Sequence, residues 1–314
     1  MNEIFNFFIG LSLFLFGISN LTNGLKKINK DKLTKLIKET NNKYKGVIIG
    51  TFLTALIQSS SFITVLLVSL VDSGIMSLNN TIGLIMGSNI GTCITSWIIS
   101  LSSINENYLA FLSIDNLLGI FAILSLFFLI RKRHNKVAIL LGIIILILGM
   151  NLMTKSMAPL ANNPSFQKML VYLSNPVFGL IMGIILTGIF QSSSLVIGIL
   201  EGLAISSNIS FLAGYTIILG SNIGTCVTAL IASSTTSKTS KVVSMFHLVF
   251  NIVGVLLFLI IFYTLNYFYN FSFTYQNINA FHIALIHTVF NIGSTIILLP
   301  FTNQLIKISK KLVK

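Results

Sequence analysis

Charge is what this sequence has least of. Only 9% of its 314 residues are Asp, Glu, Lys or Arg, where a soluble globular domain carries about 25%. That excludes an ordinary water-soluble domain. Acids are rarer still, seven against 20 Lys and Arg. Cysteine occurs twice, at Cys93 and Cys226, and both read as small buried residues within apolar helices rather than as a disulfide pair. No His/Cys/Asp group has the spacing of a transition-metal site. No glycine-rich loop follows a strand, and no nucleophile–base pair stands out. A cofactor is not expected, and an enzyme is the least supported reading. The opening "MNEIF" lacks the basic region of a signal peptide, and no small-residue cleavage site follows it. The first apolar run therefore reads as a retained transmembrane helix.

What is present is apolar surface: 54% hydrophobic residues and a mean hydropathy of +0.91. Runs with little or no charge recur at 4–25, 47–71, 73–105, 116–130, 137–154, 177–200, 202–237 and 248–281. A helix needs roughly 20 apolar residues to cross the hydrocarbon core, so the fold class is an all-α polytopic membrane protein. The 25 phenylalanines face lipid or core. The net charge of +13 sits in short loops and near the C-terminus, the positive-inside pattern, and does not indicate nucleic-acid binding.

Two motifs recur. "QSSS" stands at 58–61 and 191–194, and "GSNIGTC" at 87–93 and 220–226, every matched pair 133 positions apart. A weaker echo links "FLFGISNLTNGL" at 14–25 with "ILGMNLMTKSM" at 147–157. The chain reads as two fused copies of one unit. Residues 1–131 form repeat 1, with a first helix, segment 46–72, and helices 80–101 and 109–130. Residues 136–268 form repeat 2, with a first helix, segment 177–206, and helices 210–233 and 242–268. A final helix at 280–302 and a basic tail at 303–314 follow.

Loop charge fixes the topology. Loop 26–45 holds Lys26, Lys27, Lys30, Lys32, Lys35, Lys38, Lys43 and Lys45 and must be cytoplasmic. Gly46–Ile57, 12 residues before the serines, reaches about 18 Å, little beyond the middle of a core about 30 Å thick. If 46–72 turns back at QSSS, then "RKRHNK" at 131–136, "SKTSK" at 237–241 and Lys307, Lys310, Lys311 and Lys314 all fall inside. If it crosses, the basic loop at 131–136 falls outside. The expected architecture is therefore about seven full spans plus two re-entrant hairpins, 46–72 from the cytoplasm and 177–206 from outside. The N-terminus is then outside and the C-terminus cytoplasmic. Inverted repeats of this kind are the architecture of secondary transporters, with sites at the repeat interface near the midplane.

A turn of backbone within a membrane must be satisfied by protein or by a wet cavity. Gln58, Ser59, Ser60 and Ser61, with Gln191, Ser192, Ser193 and Ser194, supply hydroxyls and amides there. The helix after each break turns free N–H groups towards an oxyanion, and the arm before it presents carbonyls to a small hard cation. Asn89, Thr92, Asn222 and Thr225 add neutral oxygens, unless these small polar residues only glue helices together. Neither motif contains a charged residue. An anion such as phosphate, held by hydroxyls alone, needs co-bound cations to offset its dehydration. That points to Na⁺ rather than to the intramembrane carboxylates of a proton relay.

Duplicated QSSS, each copy followed by GSNIGT, resembles the type II sodium-dependent phosphate cotransporters and their bacterial relatives. The resemblance runs over roughly 10–295 and includes "LSNPVFGLIMGIILTGIFQSSS" at 173–194, "HLVFN" at 247–251 and "HTVFN" at 287–291. It implies plasma-membrane symport of inorganic phosphate with two or three Na⁺ by alternating access. The QSSS residues would line the phosphate and Na⁺ sites. Thr64 matches a family threonine near a Na⁺ site, and the second copy has Ile197 there. Some members carry an aspartate ahead of the first QSSS that adds a Na⁺ site. Asp31 lies near that position, and a solvated loop charge accounts for it equally well. Where the family often has a second threonine after GANIGT, this chain has Cys93 and Cys226. Many bacterial relatives append a cytoplasmic regulatory domain; the implied counterpart here is a separate cytoplasmic regulatory protein. Two other readings stay open: a Na⁺-coupled symporter of another small anion, and a non-transporting membrane scaffold or sensor. Glu201 reads either as an intramembrane acid with a coupling role or as a residue already near the membrane interface, His247 and His287 as hydrogen-bonded packing residues, and Asp72 and Asp115 as helix ends.

Overall fold

A computed structural model describes residues 3–17, 20, 40, 42–102, 114–157, 168, 171–206 and 209–313. Asp31 and most of the first lysine-rich loop lie outside them. The order is α1 (Glu3–Gly17), α2 (Lys43–Ile57), α3 (Ser60–Asp72), α4 (Leu78–Ser102), α5 (Ile114–Ile130) and α6 (His134–Met157). Then come α7 (Pro176–Phe190), α8 (Ser193–Ser206), α9 (Phe211–Gly224), α10 (Cys226–Ser233), α11 (Lys238–Tyr269), α12 (Ala280–Leu298) and α13 (Thr302–Leu312). No β-strand occurs among the described residues; a lone antiparallel bridge pairs Ser210 with Asn277.

Among the described residues five stretches are long and apolar enough to cross a membrane: Leu78–Leu101, His134–Met153, Phe211–Ser233, Lys238–Tyr269 and Ala280–Leu312. The chain is thus a multi-pass membrane protein. The expected spans at 4–25 and 109–130 run partly into residues outside the described set, which leaves α1 and α5 short. Outward stripes agree with lipid contact: on α7, Val177, Ile181, Ile185 and Ile189 recur every four residues and are all exposed, one helical face.

Small residues set the closest contacts. A Cβ added at Gly87 would overlap the Val47 carbonyl oxygen, and one at Gly220 the Leu180 carbonyl oxygen. So α2 lies against α4 and α7 against α9 nearly backbone to backbone, in matched ways. Gly46 meets Gly83 while Gly91 meets Thr51 and Thr54, so α2 and α4 run parallel. Gly179 meets Thr216 while Gly224 meets Ile184 and Thr187, so α7 and α9 do too. α1 crosses α6 antiparallel, Gly10 against Gly149 and Gly17 against Leu146.

The 32 residues of α11 extend about 48 Å, and polar ties gather at either end of it. At its start, the Asp72 carboxylate accepts from the Ser237 amide (2.8 Å) and the Ser240 hydroxyl (3.2 Å). Leu305 and Ile306 of α13 share a core cluster with Val243 and Phe246. Lys43 at the start of α2 donates to the Leu299 carbonyl (3.0 Å) and the Thr302 hydroxyl (3.2 Å). Beyond its other end, the Phe211 amide donates to the Gln276 carbonyl and the Ile278 amide to the Ile209 carbonyl, each at 2.9 Å. There the hydroxyls of Ser174 and Ser210 lie 2.6 Å apart.

Two sequence expectations are modified. The stretch 210–233 is split at Thr225 into α9 and α10. The stretch 303–314 is not a bare tail: Pro300 interrupts the final helix with a 3-10 turn at Leu299–Phe301, and α13 resumes as an amphipathic helix with buried Leu305, Ile306 and Ser309. Glu201 is wholly buried inside the protein. Asp72 does end its helix.

Candidate functional site

Both QSSS motifs break a helix in the same manner. Gln58 ends α2 with φ 56° and ψ 31°, and Gln191 ends α7 with φ 53° and ψ 27°. This is the left-handed region, where glycine or asparagine is usual, and holding another residue there costs on the order of 1–3 kcal/mol. The side chain of Gln58 helps hold the bend. Its amide nitrogen donates to the Ala55 carbonyl, its backbone amide to the Thr54 carbonyl, and its amide oxygen accepts from the Thr95 hydroxyl.

The first serine of each triplet caps the next helix. Ser59 Oγ accepts from the Phe62 amide (3.2 Å) and Ser192 Oγ from the Leu195 amide (3.3 Å), satisfying amides that a helix start leaves without partners. The second serines are buried: Ser60 and Ser193 are each 5% exposed. Their hydroxyls make no hydrogen bond among the described residues, so they are free to donate to a ligand.

The two turns touch. Ser61 Oγ donates to the Gln191 carbonyl oxygen at 3.3 Å. Thr95 on α4 lies between them, bonded to Gln58 and 3.5 Å from Ser194 Oγ. The motif reading missed Thr95, although Thr95 and Thr228 are themselves 133 positions apart. That spacing was the available signal.

The other candidates make hydrogen bonds of their own. Thr64 Oγ1 donates to the Ser60 carbonyl (2.9 Å), a bond that leaves both of its lone pairs able to accept or to meet a cation. Thr92 and Thr225 bond back to the Ser88 and Ser221 carbonyls (3.0 and 2.9 Å). Asn222 donates to the Ile218 carbonyl (2.8 Å). Asn89 is turned into a packing cluster: its amide donates to Asn251 Oδ1 (2.7 Å) and its oxygen lies 3.2 Å from His247 Nε2.

The HxVFN elements brace the GSNIGTC motifs. Asn251 donates to Cys226 Sγ (3.2 Å) and Asn291 to Cys93 Sγ (3.5 Å), and both thiols are free and buried. His247 fits a hydrogen-bonded packing role through Asn89. His287 does not, since neither ring nitrogen finds a partner. Among the described residues no group of three His, Cys, Asp or Glu could hold a metal ion.

Comparison with known proteins adds the decisive observation. The family model described as Na⁺/Pi-cotransporter matches twice, over residues 13–155 and 145–288. The chain belongs to this family. It is similar to the uncharacterized protein YqeW of Bacillus subtilis, 28% identical over 225 residues, which is 70% of this chain and 70% of that protein. YjbB of Escherichia coli O157:H7, whose name proposes inorganic phosphate export, is 23% identical over 244 residues, 76% of this chain and 43% of that protein. Sodium-dependent phosphate transport protein 2A of Rattus norvegicus is 44% identical over 61 residues. That stretch is 19% of this chain and only 10% of the mammalian protein. No solved structure matches.

Proposed function

We propose that this protein is a Na⁺-coupled symporter of inorganic phosphate, working by alternating access around the two QSSS turns. The observation that carries this reading is the junction itself. Two buried, ligand-free hydroxyls, Ser60 and Ser193, belong to turns that a Ser61–Gln191 hydrogen bond holds together. Family membership supplies the class of cargo.

The two matches of the family model support two copies, 1–131 and 136–268, with 280–302 outside them. The ties along α11 support opposed insertion. Lys43 and Asp72, the outer ends of the first pair of arms, lie with the start of α11. Ser174 and Ile209, flanking the second pair, lie with the segment beyond its end. In this reading α2–α3 and α7–α8 are re-entrant hairpins from opposite faces, the start of α11 and α13 are cytoplasmic, and α1 begins outside. Such half-helices, meeting near the midplane, give an anion amide and hydroxyl donors and give Na⁺ carbonyl oxygens.

The donors are all neutral. Gln58, Ser59–Ser61, Gln191 and Ser192–Ser194 would hold phosphate by hydrogen bonds, with Thr64, Thr92, Thr225 and Asn222 as candidate oxygens for Na⁺; the Asn89 oxygen faces His247 instead. Binding of this kind is reversible, as transport requires. The turns are also unlike each other: Gln58 is buried and clamped, while Gln191 is exposed. A protein resting in one of two access states would show that inequality.

The test is uptake of labelled phosphate into liposomes holding the purified protein. Accumulation is expected with Na⁺ outside and not with K⁺ or choline. Ser60→Ala and Ser193→Ala are expected to abolish it while the protein stays monodisperse. Competition by a carboxylate or sulfate, and not by unlabelled phosphate, would move the cargo to another small anion. Tolerance of both serine substitutions would leave a scaffold or sensor.

A further inference from the structure

Among the acids whose side chains are described, Glu201 alone is buried, and the serine turns do not use it. It sits on α8, seven residues and so two turns beyond Ser194, with no accessible surface. Its neighbours on that helix, Val196, Ile197 and Leu200, belong to an apolar cluster with Ile217, Ile218 and Ile283. One carboxyl oxygen accepts from the Ser96 hydroxyl of α4. The other, Oε2, is buried with no partner.

A carboxylate cannot remain bare in such surroundings; it must hold a proton or a cation. Nothing among the described residues supplies that charge. α1 packs against α8 through Phe14, and its titratable group, Glu3, is exposed. The other helices packed against α8 are α4, α6, α7, α9 and α12. Their titratable groups are Cys93 on α4, His134, Lys136 and Lys155 on α6, Tyr215 on α9, and His282 and His287 on α12; α7 has none. His134, Lys136, Lys155 and His282 are exposed. Tyr215 donates to the Phe258 carbonyl (2.8 Å), and Cys93 and His287 are buried. None of them forms a hydrogen bond or ion pair with Glu201.

We propose that Glu201, with the Ser96 hydroxyl, is a monovalent-cation site separate from the serine turns, which a proton fills when Na⁺ is scarce and Na⁺ fills when it is abundant. The exchange balances simply: Na⁺ enters, the carboxyl O–H bond breaks, one H⁺ leaves, and the site stays neutral. Its place explains how it would matter for transport. Ser96 follows Thr95, the residue that touches both turns, so what occupies Glu201 bears on the junction through one step of α4. This inference rests on the transporter reading.

The protein contains a single tryptophan, Trp97, beside Ser96. Its Nε1 donates to Thr288 Oγ1 (2.9 Å) and its ring meets Phe281 edge-on, 5.4 Å between centroids. Trp97 fluorescence therefore reports on the site. The experiment is a Na⁺ titration of purified full-length protein at several pH values without phosphate, with choline holding ionic strength constant. Below the pH at which the carboxyl ionises freely, one-for-one exchange makes the half-saturating Na⁺ concentration rise about tenfold for each unit fall in pH, by mass action. In weak buffer, adding Na⁺ releases one proton per protein.

Glu201→Gln keeps size and the Ser96 bond, and is expected to abolish both the pH dependence and the proton release. Hydroxyl and amide sites at the turns do not titrate, so any Na⁺ response left in that variant is flat with pH. Ser96→Ala keeps the carboxyl and is expected to move the pH range of the exchange while one proton is still released. The proposal is overturned by a pH-independent wild type, by proton release that survives Glu201→Gln, or by a Ser96→Ala variant identical to the wild type. Any of these alongside intact Na⁺-driven phosphate uptake leaves the transport reading standing; uptake indifferent to Na⁺ removes that reading instead.

Discussion

Replacing Thr95 by valine removes one hydroxyl and keeps the shape of the side chain. Thr95 is 2% exposed and Gln58 8% exposed, so water cannot readily take the place of the lost donor. Gln58 Oε1 is then a buried acceptor without a partner, at a cost of about 1–3 kcal/mol. That matches the cost, also about 1–3 kcal/mol, of holding a non-glycine residue in the left-handed region. The clamp and the strain it opposes are of one size, so the first turn is expected to relax out of its bend. Because Ser59–Ser61 present their donors from this bend, the loss should fall on phosphate binding. At 1.4 kcal/mol per tenfold, the half-saturating phosphate concentration rises by about 5-fold to about 100-fold. Na⁺-driven uptake into liposomes over a range of phosphate concentrations reads it directly, and Thr95→Ser should restore wild-type behaviour. Wild-type affinity in a well-folded Thr95→Val protein would mean that the Thr95–Gln58 contact does not shape the site.

Two further perturbations test the frame. Gly87→Ala and Gly220→Ala each push a methyl group into a carbonyl oxygen of the facing helix, so each is expected to destabilise the protein by about 1–3 kcal/mol or more, seen as a lower unfolding temperature in detergent. On a cysteine-free background, Tyr275→Cys should react with a membrane-impermeant maleimide added to intact cells and Ser234→Cys only after permeabilisation; labelling of both from one side would refute opposed insertion.

Much of the helical plan was legible because two independent signals agree. Apolar run length gives the elements, and the recurrence of QSSS at 133 positions gives their breaks, so the arms at 46–72 and 177–206 match α2–α3 and α7–α8 to within a few residues. Pro300 was legible in principle as a helix breaker, yet the amphipathic stretch after it carries Lys307, Lys310 and Lys311, and those charges masked its periodicity. Thr95 was missed for a different reason. Its recurrence as Thr228 marks the position, but what it touches depends on a helix packing that the spacing does not encode. Glu201 is the reverse case: its charge stood out, but charge alone does not tell an interfacial residue from a sealed one. Asn89 shows the limit on the other side, since its oxygen faces His247 rather than the serine junction.

The inequality of the two turns carries the last prediction. Under the reading of two inverted copies, the states facing outward and inward differ by an exchange of roles between the repeats. In the state described here the first copy is clamped, Gln58 to Thr95, and α4 runs unbroken through its motif. The second copy has an exposed Gln191, and its motif helix is interrupted at Thr225. The counterpart of Thr95, 133 positions on, is Thr228, whose hydroxyl is now turned back to the Thr225 carbonyl at 3.0 Å. In the opposite state Thr228 should release that carbonyl and clamp Gln191. Thr228→Val then leaves the present site untouched but weakens the other state by the same lost bond, about 1–3 kcal/mol. The expected result is a maximal uptake rate reduced by about 5-fold to about 100-fold with half-saturating phosphate little changed, the converse of Thr95→Val. If Thr228→Val instead raises half-saturation as Thr95→Val does, both threonines serve a single static site, and the two copies do not trade places during transport.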